Sequence, residues 1–452
     1  MQKAQYSVVF KEKIKEFNKS IDVDSDKSLS IRSILFGAIV EGVSEVKNLL
    51  ESDDVISAIS FIKKLGVKLK KIKKGKYLIY GQGLGGLYAQ KNTTLDFGNS
   101  GTLCRLGSGL LSTSPDLSLK ITGDKSLQKR NLKTLIHALS KFGAFFYPEK
   151  KNHLPLKLIS SNIPTGIKYV EKKGSAQIIS AVALAALNSF GKTEIIQEKE
   201  SRNHTQIFLK KIGSKINIKK KGLKNIIQIM GKKKLNNFKL EMPGDPSSAA
   251  FFTALTILND KSSLTLKNIC LNPTRIGFYT LLKKHGAKIK IKNLKKKNNE
   301  IIGNIFVKSG IIKPIKCNSS YYSKTVDEFP ILFIIAALNK GTSKFSGIKD
   351  LANKESNRIL EIKNLLKKIN IKCKSDKNSM TIYGIKNLNV FKKKIIIDPK
   401  LDHRICQSAA ILALATGINI TIKNFETVNT SAPSFLKKIK QLGGKFEIKK
   451  TS

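Results

Sequence analysis

Seven residues carry most of the chemical information in a chain that writes nearly all its positive charge as lysine. Lysine and arginine total 83, yet the arginines are only Arg32, Arg105, Arg130, Arg202, Arg275, Arg358 and Arg404. A guanidinium is a planar fork that grips carboxylate or phosphate with two hydrogen bonds, which a lysine ammonium cannot do. Arginines that persist where lysine is the default cation therefore mark places where the fork is needed. The surrounding patterns put Arg32, Arg105 and Arg404 in the first turns of apolar helices. They put Arg130, Arg202, Arg275 and Arg358 in the loop or first turn of a following helix. Helix N-termini add unpaired N–H groups that favour anions. The chemistry indicated is the binding of a highly anionic small ligand by residues gathered from several parts of the chain. Arg275 is the leading candidate for a plain structural ion pair instead.

The elements that must position these arginines repeat. Six apolar helical segments begin near Ser28, Ser100, Ser175, Pro246, Asp327 and Asp402, 71 to 81 residues apart. Each is followed by a β-like stretch, a polar loop and a second helix that runs into a Lys-rich turn and another strand. AISFIKKLGVKLK, YTLLKKHGAKIKI and FLKKIKQLGGKFEI show the pattern, with i, i+3, i+4 apolar spacing giving way to alternation. A period of about 75 residues is longer than the roughly 20–50 of solenoids, so six βαβαβ-type units of a globular α/β protein are expected.

Composition bounds the rest. At 452 residues the length prior is two to four domains. A hydrophobic content of 41% supplies sizeable cores. No apolar run is long enough to span a membrane, and Met1–Phe10 does not resemble a secretory signal. Cys104, Cys270, Cys317, Cys373 and Cys406 show no paired spacing, which argues against a disulfide framework or zinc site and fits a reducing cytoplasm. The formal charge of +51 would ordinarily suggest nucleic acid. The lysines come with abundant Ile and Asn and no aromatic ladder, which is better read as base-composition bias, and no nucleic-acid partner is expected.

The loops between these elements resemble those of the 5-enolpyruvylshikimate-3-phosphate (EPSP) synthase family. DKSLSIR (26–32), GNSGTLCR (98–105), GDKSLQKR (123–130), SAQ (175–177), SRNHT (201–205), GDPSSAAFF (244–252), NPTR (272–275), DEFP (327–330), KESNR (354–358) and DHR (402–404) match the family's motifs in family order. Any one of them is weak alone; ten in order are specific.

The resemblance implies a two-domain inside-out α/β barrel, the enolpyruvyl transferase fold, with six βαβαββ-type repeats, three per domain. Residues 24–242 would form one domain, on the shikimate 3-phosphate side. Residues 1–23 with 243–452 would form the other, with the active site in the cleft between them. The implied reaction transfers the enolpyruvyl group of phosphoenolpyruvate to the 5-hydroxyl of shikimate 3-phosphate and releases phosphate, by addition and elimination through a tetrahedral intermediate. The two ligands bring roughly −5 to −6 of charge near neutral pH. The implied catalytic residues are Asp327, Glu355 and Lys27. Shikimate 3-phosphate would be held by Lys27, Ser28, Arg32, Ser175, Ala176, Gln177, Ser201, Asp327 and Lys354. Phosphoenolpyruvate would be held by Lys27, Gly101, Arg130, Gln177, Arg358 and Arg404, with Lys354 assisting. No cofactor, no metal and no membrane are implied, and a monomer in the cytoplasm is expected.

Beside its implied role, Asp327 reads as a helix N-cap, and Asp402 and His403 read as groups that orient Arg404. Arg105 and GDPSSAAFF read as structural, and the cysteines as core residues. Several positions depart from the family pattern: Ser25, Ile31, Asn131, Ala352, Asn353, Asn357 and Thr430. An alternative within enzymes is the transferase acting on UDP-N-acetylglucosamine, which is expected to carry Lys-Asn at the first motif and a reactive loop cysteine. Here Ser28 follows Lys27. The alternative from another class is a basic nucleic-acid-binding repeat protein.

Overall fold

The computed structural model describes residues 5–385 and 394–450. The chain divides into two compact units: 25–242 with 298–300, and 1–24 with 243–297 and 301–452.

Six four-stranded sheets appear among the described residues, all of one pattern. The first strand runs parallel to the second, and the second antiparallel to the third. The sheets of the other unit repeat this. A long apolar helix follows the first strand, and the shorter amphipathic helix follows the second. Three sheets do not draw all their strands from one continuous stretch. Lys239–Glu241 supplies the first strand of the sheet built on Glu41–Lys47. Asn18–Ile21 supplies that of the sheet built on Ser263–Cys270. Tyr6–Phe10 supplies the third strand of the last sheet, between Ile420–Ile422 and Glu447–Lys450. These loans explain why the second unit is made of separate stretches: the N-terminus completes its sheets before the chain leaves at Asp24.

The apolar helices form the interior. In one unit they are Lys27–Ile39, Gly101–Ser112 and Ala176–Leu187, and in the other Pro246–Leu258, Phe329–Ala337 and His403–Thr416. Phe329–Ala337 is buried along its whole length, as an all-round apolar helix must be. Gly101–Ser112 approaches Ala176–Leu187 so closely that a Cβ on Gly109 would collide with the Ala181 carbonyl, so only glycine permits this crossing. The C-terminal carbonyls of all six helices are closed by one device. The residue leaving the third strand donates its N–H to them: Gly83 to Val40, Ser161 to Ser112, Lys232 to Leu187, Gly310 to Ile257, Ile385 to Ala337 and Ile14 to Leu414. Those orphan acceptors would otherwise be buried unpaired.

The lysines have a definite place. Outer-edge strands Lys68–Lys73, Ile216–Lys221, Ile289–Lys297 and Glu447–Lys450 carry dense exposed lysine. Another outer edge, Phe145–Pro148, ends in proline. Both devices discourage edge-to-edge pairing of sheets. Among the described residues, no helix is long and apolar enough to cross a membrane. Four cysteines are buried and Cys373 is partly so, and none of the five is in a disulfide. Burial pushes the Cys317 thiol up to about 12.

Candidate active site

Several of the sequence-expected residues lie at the N-terminal ends of the buried helices of each unit, among them Lys27, Ser28, Gly101, Ser175, Ala176 and Arg404. Five of the six helices are capped there by a short side chain that accepts an N–H of the first turn: Asp26, Ser100, Ser175, Asp245 and Asp402.

In the unit of residues 25–242, Lys27 opens the first helix, and its Nζ lies 2.9 Å from Asp54 Oδ2. Arg32 and Arg105 sit in the second helical turn, not the first as expected. Helical side chains lean toward the N-terminus, so both heads still reach the mouth. Arg32 Nη1 donates to the Ser28 carbonyl at 3.1 Å and to the Ser28 hydroxyl, and Arg105 Nη1 donates to the Gly101 carbonyl at 3.0 Å. Arg32 Nε donates to Thr205 Oγ1 at 2.8 Å and Nη2 to Ser180 Oγ at 3.1 Å. The DKSLSIR segment is thus locked to SRNHT and to the helix that begins at SAQ. Gln177 donates to Thr102 Oγ1 at 3.2 Å, tying Ala176 and Ser175 to the Gly101 loop. Arg130 Nη2 donates to Asn99 Oδ1 at 3.0 Å, and Asn99 donates to Asp124 at 2.7 Å. A Cβ on Gly101 would meet Arg130 Nη1, so the bare backbone is what lets this guanidinium lie over the helix start. Ser201 is buried and accepts from Gln197 Nε2 at 2.8 Å.

In the other unit, Arg358 is 1% exposed and holds three carboxylates. Its Nε lies 2.9 Å from Asp402 Oδ2, its Nη2 2.6 Å from Glu355 Oε2, and its Nη1 3.7 Å from Asp327 Oδ1. Burial alone would lower the pKa of this guanidinium. The charges of Asp402, Glu355 and Asp327 outweigh burial and raise it. Arg404 is 3% exposed and has neutral surroundings: its Nη1 lies 3.4 Å from Gln407 Oε1, its Cζ lies 5.7 Å from the Phe251 ring centroid, and its Nε has no hydrogen-bond partner among the described residues. Lys354 leads directly into Glu355 and Ser356, whose hydroxyl donates to Asp402 Oδ2 at 3.1 Å.

Two further sequence expectations need correction. Asp327 is not the helix N-cap. Glu328 holds that position and makes no side-chain cap bond; Pro330 in the first turn brings no N–H to satisfy. Asp402 does not orient the Arg404 side chain: it caps the Arg404 N–H and grips Arg358. Arg275 is structural as read, its Nη2 3.2 Å from Asp245 Oδ1 in a fully buried pair. Of the departures from pattern, Asn357 caps the helix Arg358–Lys368 by accepting from Leu360 N at 3.1 Å, and Thr430 donates to the Thr427 carbonyl at 2.8 Å. Asp54, Ser180 and Thr102 were not singled out from sequence. Asp54 follows Asp53 at a helix start, where acids ordinarily serve the helix dipole.

Comparison with known proteins identifies the family to which the chain belongs. The family model described as EPSP synthase (3-phosphoshikimate 1-carboxyvinyltransferase) matches residues 11–439. A 3-phosphoshikimate 1-carboxyvinyltransferase of Sulfurihydrogenibium sp. is 36% identical over 436 residues, covering 95% of this chain and 98% of its own. That of Zymomonas mobilis is 35% identical over 430 residues, covering 95% and 94%. The solved EPSP synthase from Acinetobacter baumannii superposes with a TM-score of 0.84 at 32% identity, covering 98% of this chain and 100% of that one. The enolpyruvyl transferase NikO from Streptomyces tendae reaches 0.76 over 99% of this chain at 10% identity, a likeness of fold alone. With the family model spanning nearly the whole chain, and relatives of this identity at full length, the chain belongs to the EPSP synthase family.

Proposed function

We propose that the chain transfers the enolpyruvyl group of phosphoenolpyruvate to the 5-hydroxyl of shikimate 3-phosphate, releasing phosphate. The observation that carries this is the near-full-length family match together with anion-binding groups at the helix mouths of both units. Both substrates are anions, and helix N-termini with guanidinium forks suit such ligands. The second enzyme reading loses ground, because Ser28 follows Lys27 and burial raises the thiol pKa of Cys104, Cys317 and Cys406.

In this reading the groups divide by unit. Ser28, Arg32, Ser175, Ala176, Gln177 and Ser201 hold shikimate 3-phosphate, Ser175 and Ser201 at its phosphate. Gly101, Arg130 and Gln177 meet phosphoenolpyruvate from one unit and Arg404 from the other. Arg358 Nη1, which makes no hydrogen bond among the described residues, is the nitrogen that remains for this ligand. Asp327 takes the proton of the 5-hydroxyl as the oxygen attacks C2. Glu355 and Lys27 move the proton at the methylene carbon, and Lys354 helps to hold the ligands. The tetrahedral adduct then loses phosphate. The reading thus draws on both units of one chain, and a monomer is the proposed working form.

The test is phosphate release from phosphoenolpyruvate, measured with and without shikimate 3-phosphate. Release that depends on both supports the reading. Release that is unaffected by shikimate 3-phosphate, or that depends on a UDP-sugar instead, overturns it.

A further inference from the structure

One of the six core helices breaks the capping rule. Glu328 is at the N-cap of Phe329–Ala337 and is 1% exposed, yet its carboxylate does not cap. It accepts the hydroxyl proton of Ser247 instead. Ser247 is fully buried in the first turn of Pro246–Leu258, and it accepts in turn from Arg275 Nη2 at 3.2 Å. The same nitrogen donates to Asp245 Oδ1 at 3.2 Å, and Asp245 Oδ1 also receives the Ser247 N–H at 2.7 Å. Tyr279, fully buried, closes the far side by donating to the Pro246 carbonyl at 2.6 Å. A serine hydroxyl has one proton, so accepting from Arg275 leaves that proton aimed at Glu328.

We infer that Ser247 is a positioning residue for the transfer reaction. The relay Arg275–Ser247–Glu328 holds the turn that presents Asp327 to Arg358, beside Glu355 and Asp402. Asp327 precedes Glu328 directly and lies outside the helix. The turn that carries it is bonded through Glu328, whose N–H reaches the Thr325 carbonyl at 3.0 Å and whose carbonyl accepts from Leu332 at 3.0 Å. Glu328 is therefore the anchor, and its buried carboxylate is gripped by a group from a different helix. The GDPSSAAFF and NPTR segments thereby gain a role beyond packing. The inference rests on Asp327 acting as the base in the proposed reaction.

The experiment is steady-state kinetics on Ser247→Ala beside Asp327→Asn, with thermal unfolding of each. Small displacements of a catalytic group cost rate steeply. Ser247→Ala is expected to lose about tenfold in kcat, while both KM values stay within about twofold, because the ligand-binding side chains are untouched. Glu328→Gln keeps an acceptor for the hydroxyl and is expected to stay within about threefold of wild type. Wild-type kcat in Ser247→Ala while Asp327→Asn is inactive overturns the positioning role and leaves the reaction reading intact. Wild-type kcat in Asp327→Asn overturns the base assignment, and the positioning role with it. Should Ser247→Ala not fold, Ser247→Cys takes its place: nearly the same shape with a weaker donor, it should lose about threefold in kcat, and unchanged kcat there overturns the inference.

Discussion

Arg358 and Arg404 lie in the same unit and are buried almost equally, yet their neighbours differ in kind. Arg358 meets Asp402, Glu355 and Asp327. Arg404 meets an amide and an aromatic ring, with no carboxylate within ion-pair distance among the described residues. A buried charge without a partner costs several kcal/mol. A protein keeps such a charge where an anionic ligand completes the pair. One guanidinium thus spends two of its three nitrogens on holding acids in place, whereas the other, in the reading proposed above, is left whole for phosphoenolpyruvate. Arg32 in the other unit follows a third course, caged by the hydroxyls of Thr205, Ser180 and Ser28.

The largest effect should come from the acids that Arg358 holds. Asp327→Asn is expected to fold and to bind both substrates, and to lose about 10²- to 10⁴-fold in kcat, the usual worth of a general base. Near-normal turnover would mean that the carboxylate cluster is only scaffolding.

Replacing each arginine by methionine gives opposite signs of stability. Arg358→Met leaves Asp402, which is fully buried, without its cation, and should destabilise by about 3–5 kcal/mol, as broken buried pairs do. Arg404→Met removes an uncompensated charge and should be neutral or slightly stabilising while phosphoenolpyruvate binding is lost. Chemical denaturation of the two variants measures this, and equal destabilisation would break the comparison.

Sequence patterning made some of this legible. The six-fold period and the amphipathic second helices could be read locally, because side-chain spacing alone encodes them. The loaned strands could not. Nothing in Tyr6–Phe10 specifies that its partners are Ile420–Ile422 and Glu447–Lys450, since a strand pattern records burial and not the neighbour. The same limit hid the grip of Asp402 on Arg358, which joins residues 44 positions apart. The scarce arginines drew attention to these segments, but not to which of them would be neutralised by acids.

Gly101 sharpens the contrast from the other unit, where the cost of change is local crowding. A methyl there would meet Arg130 Nη1 and come within 3.0 Å of Arg105 Nη1. Those are the ends of flexible side chains, so the fold should survive Gly101→Ala. Arg130 must shift, and forced shifts in packed sites cost about 1–3 kcal/mol. A rise in KM for phosphoenolpyruvate of about 5- to 150-fold is expected, with KM for shikimate 3-phosphate nearly unchanged. An unchanged KM for phosphoenolpyruvate would remove Arg130 from that ligand.

Asp24 offers the smallest and cleanest control, a largely buried acid whose direct partner is a serine. Its Oδ2 accepts from Ser434 N at 3.1 Å and from Ser434 Oγ at 2.7 Å. Burial raises its pKa above the ordinary 3.8; the Ser434 bonds and Lys438 pull the other way, and Asp245 adds to the rise. An acid whose folded value lies above its unfolded one binds its proton more tightly when folded. Its contribution to stability is complete below the unfolded value and is lost as pH rises through the folded one. At neutral pH the folded chain therefore carries a burdened carboxylate. Asn at this position keeps an oxygen for Ser434 and carries no charge. Asp24→Asn should unfold at a higher temperature than wild type at neutral pH, by a few degrees at most, and the gap should close as pH falls below 3.8, where both side chains are neutral. Thermal scans of the pair across that range decide it. A wild type that gains stability over the variant as pH rises would put Asp24 with the acids held by Arg358, whose charge is wanted, and the contrast between acids with and without a cation would fail at its simplest point.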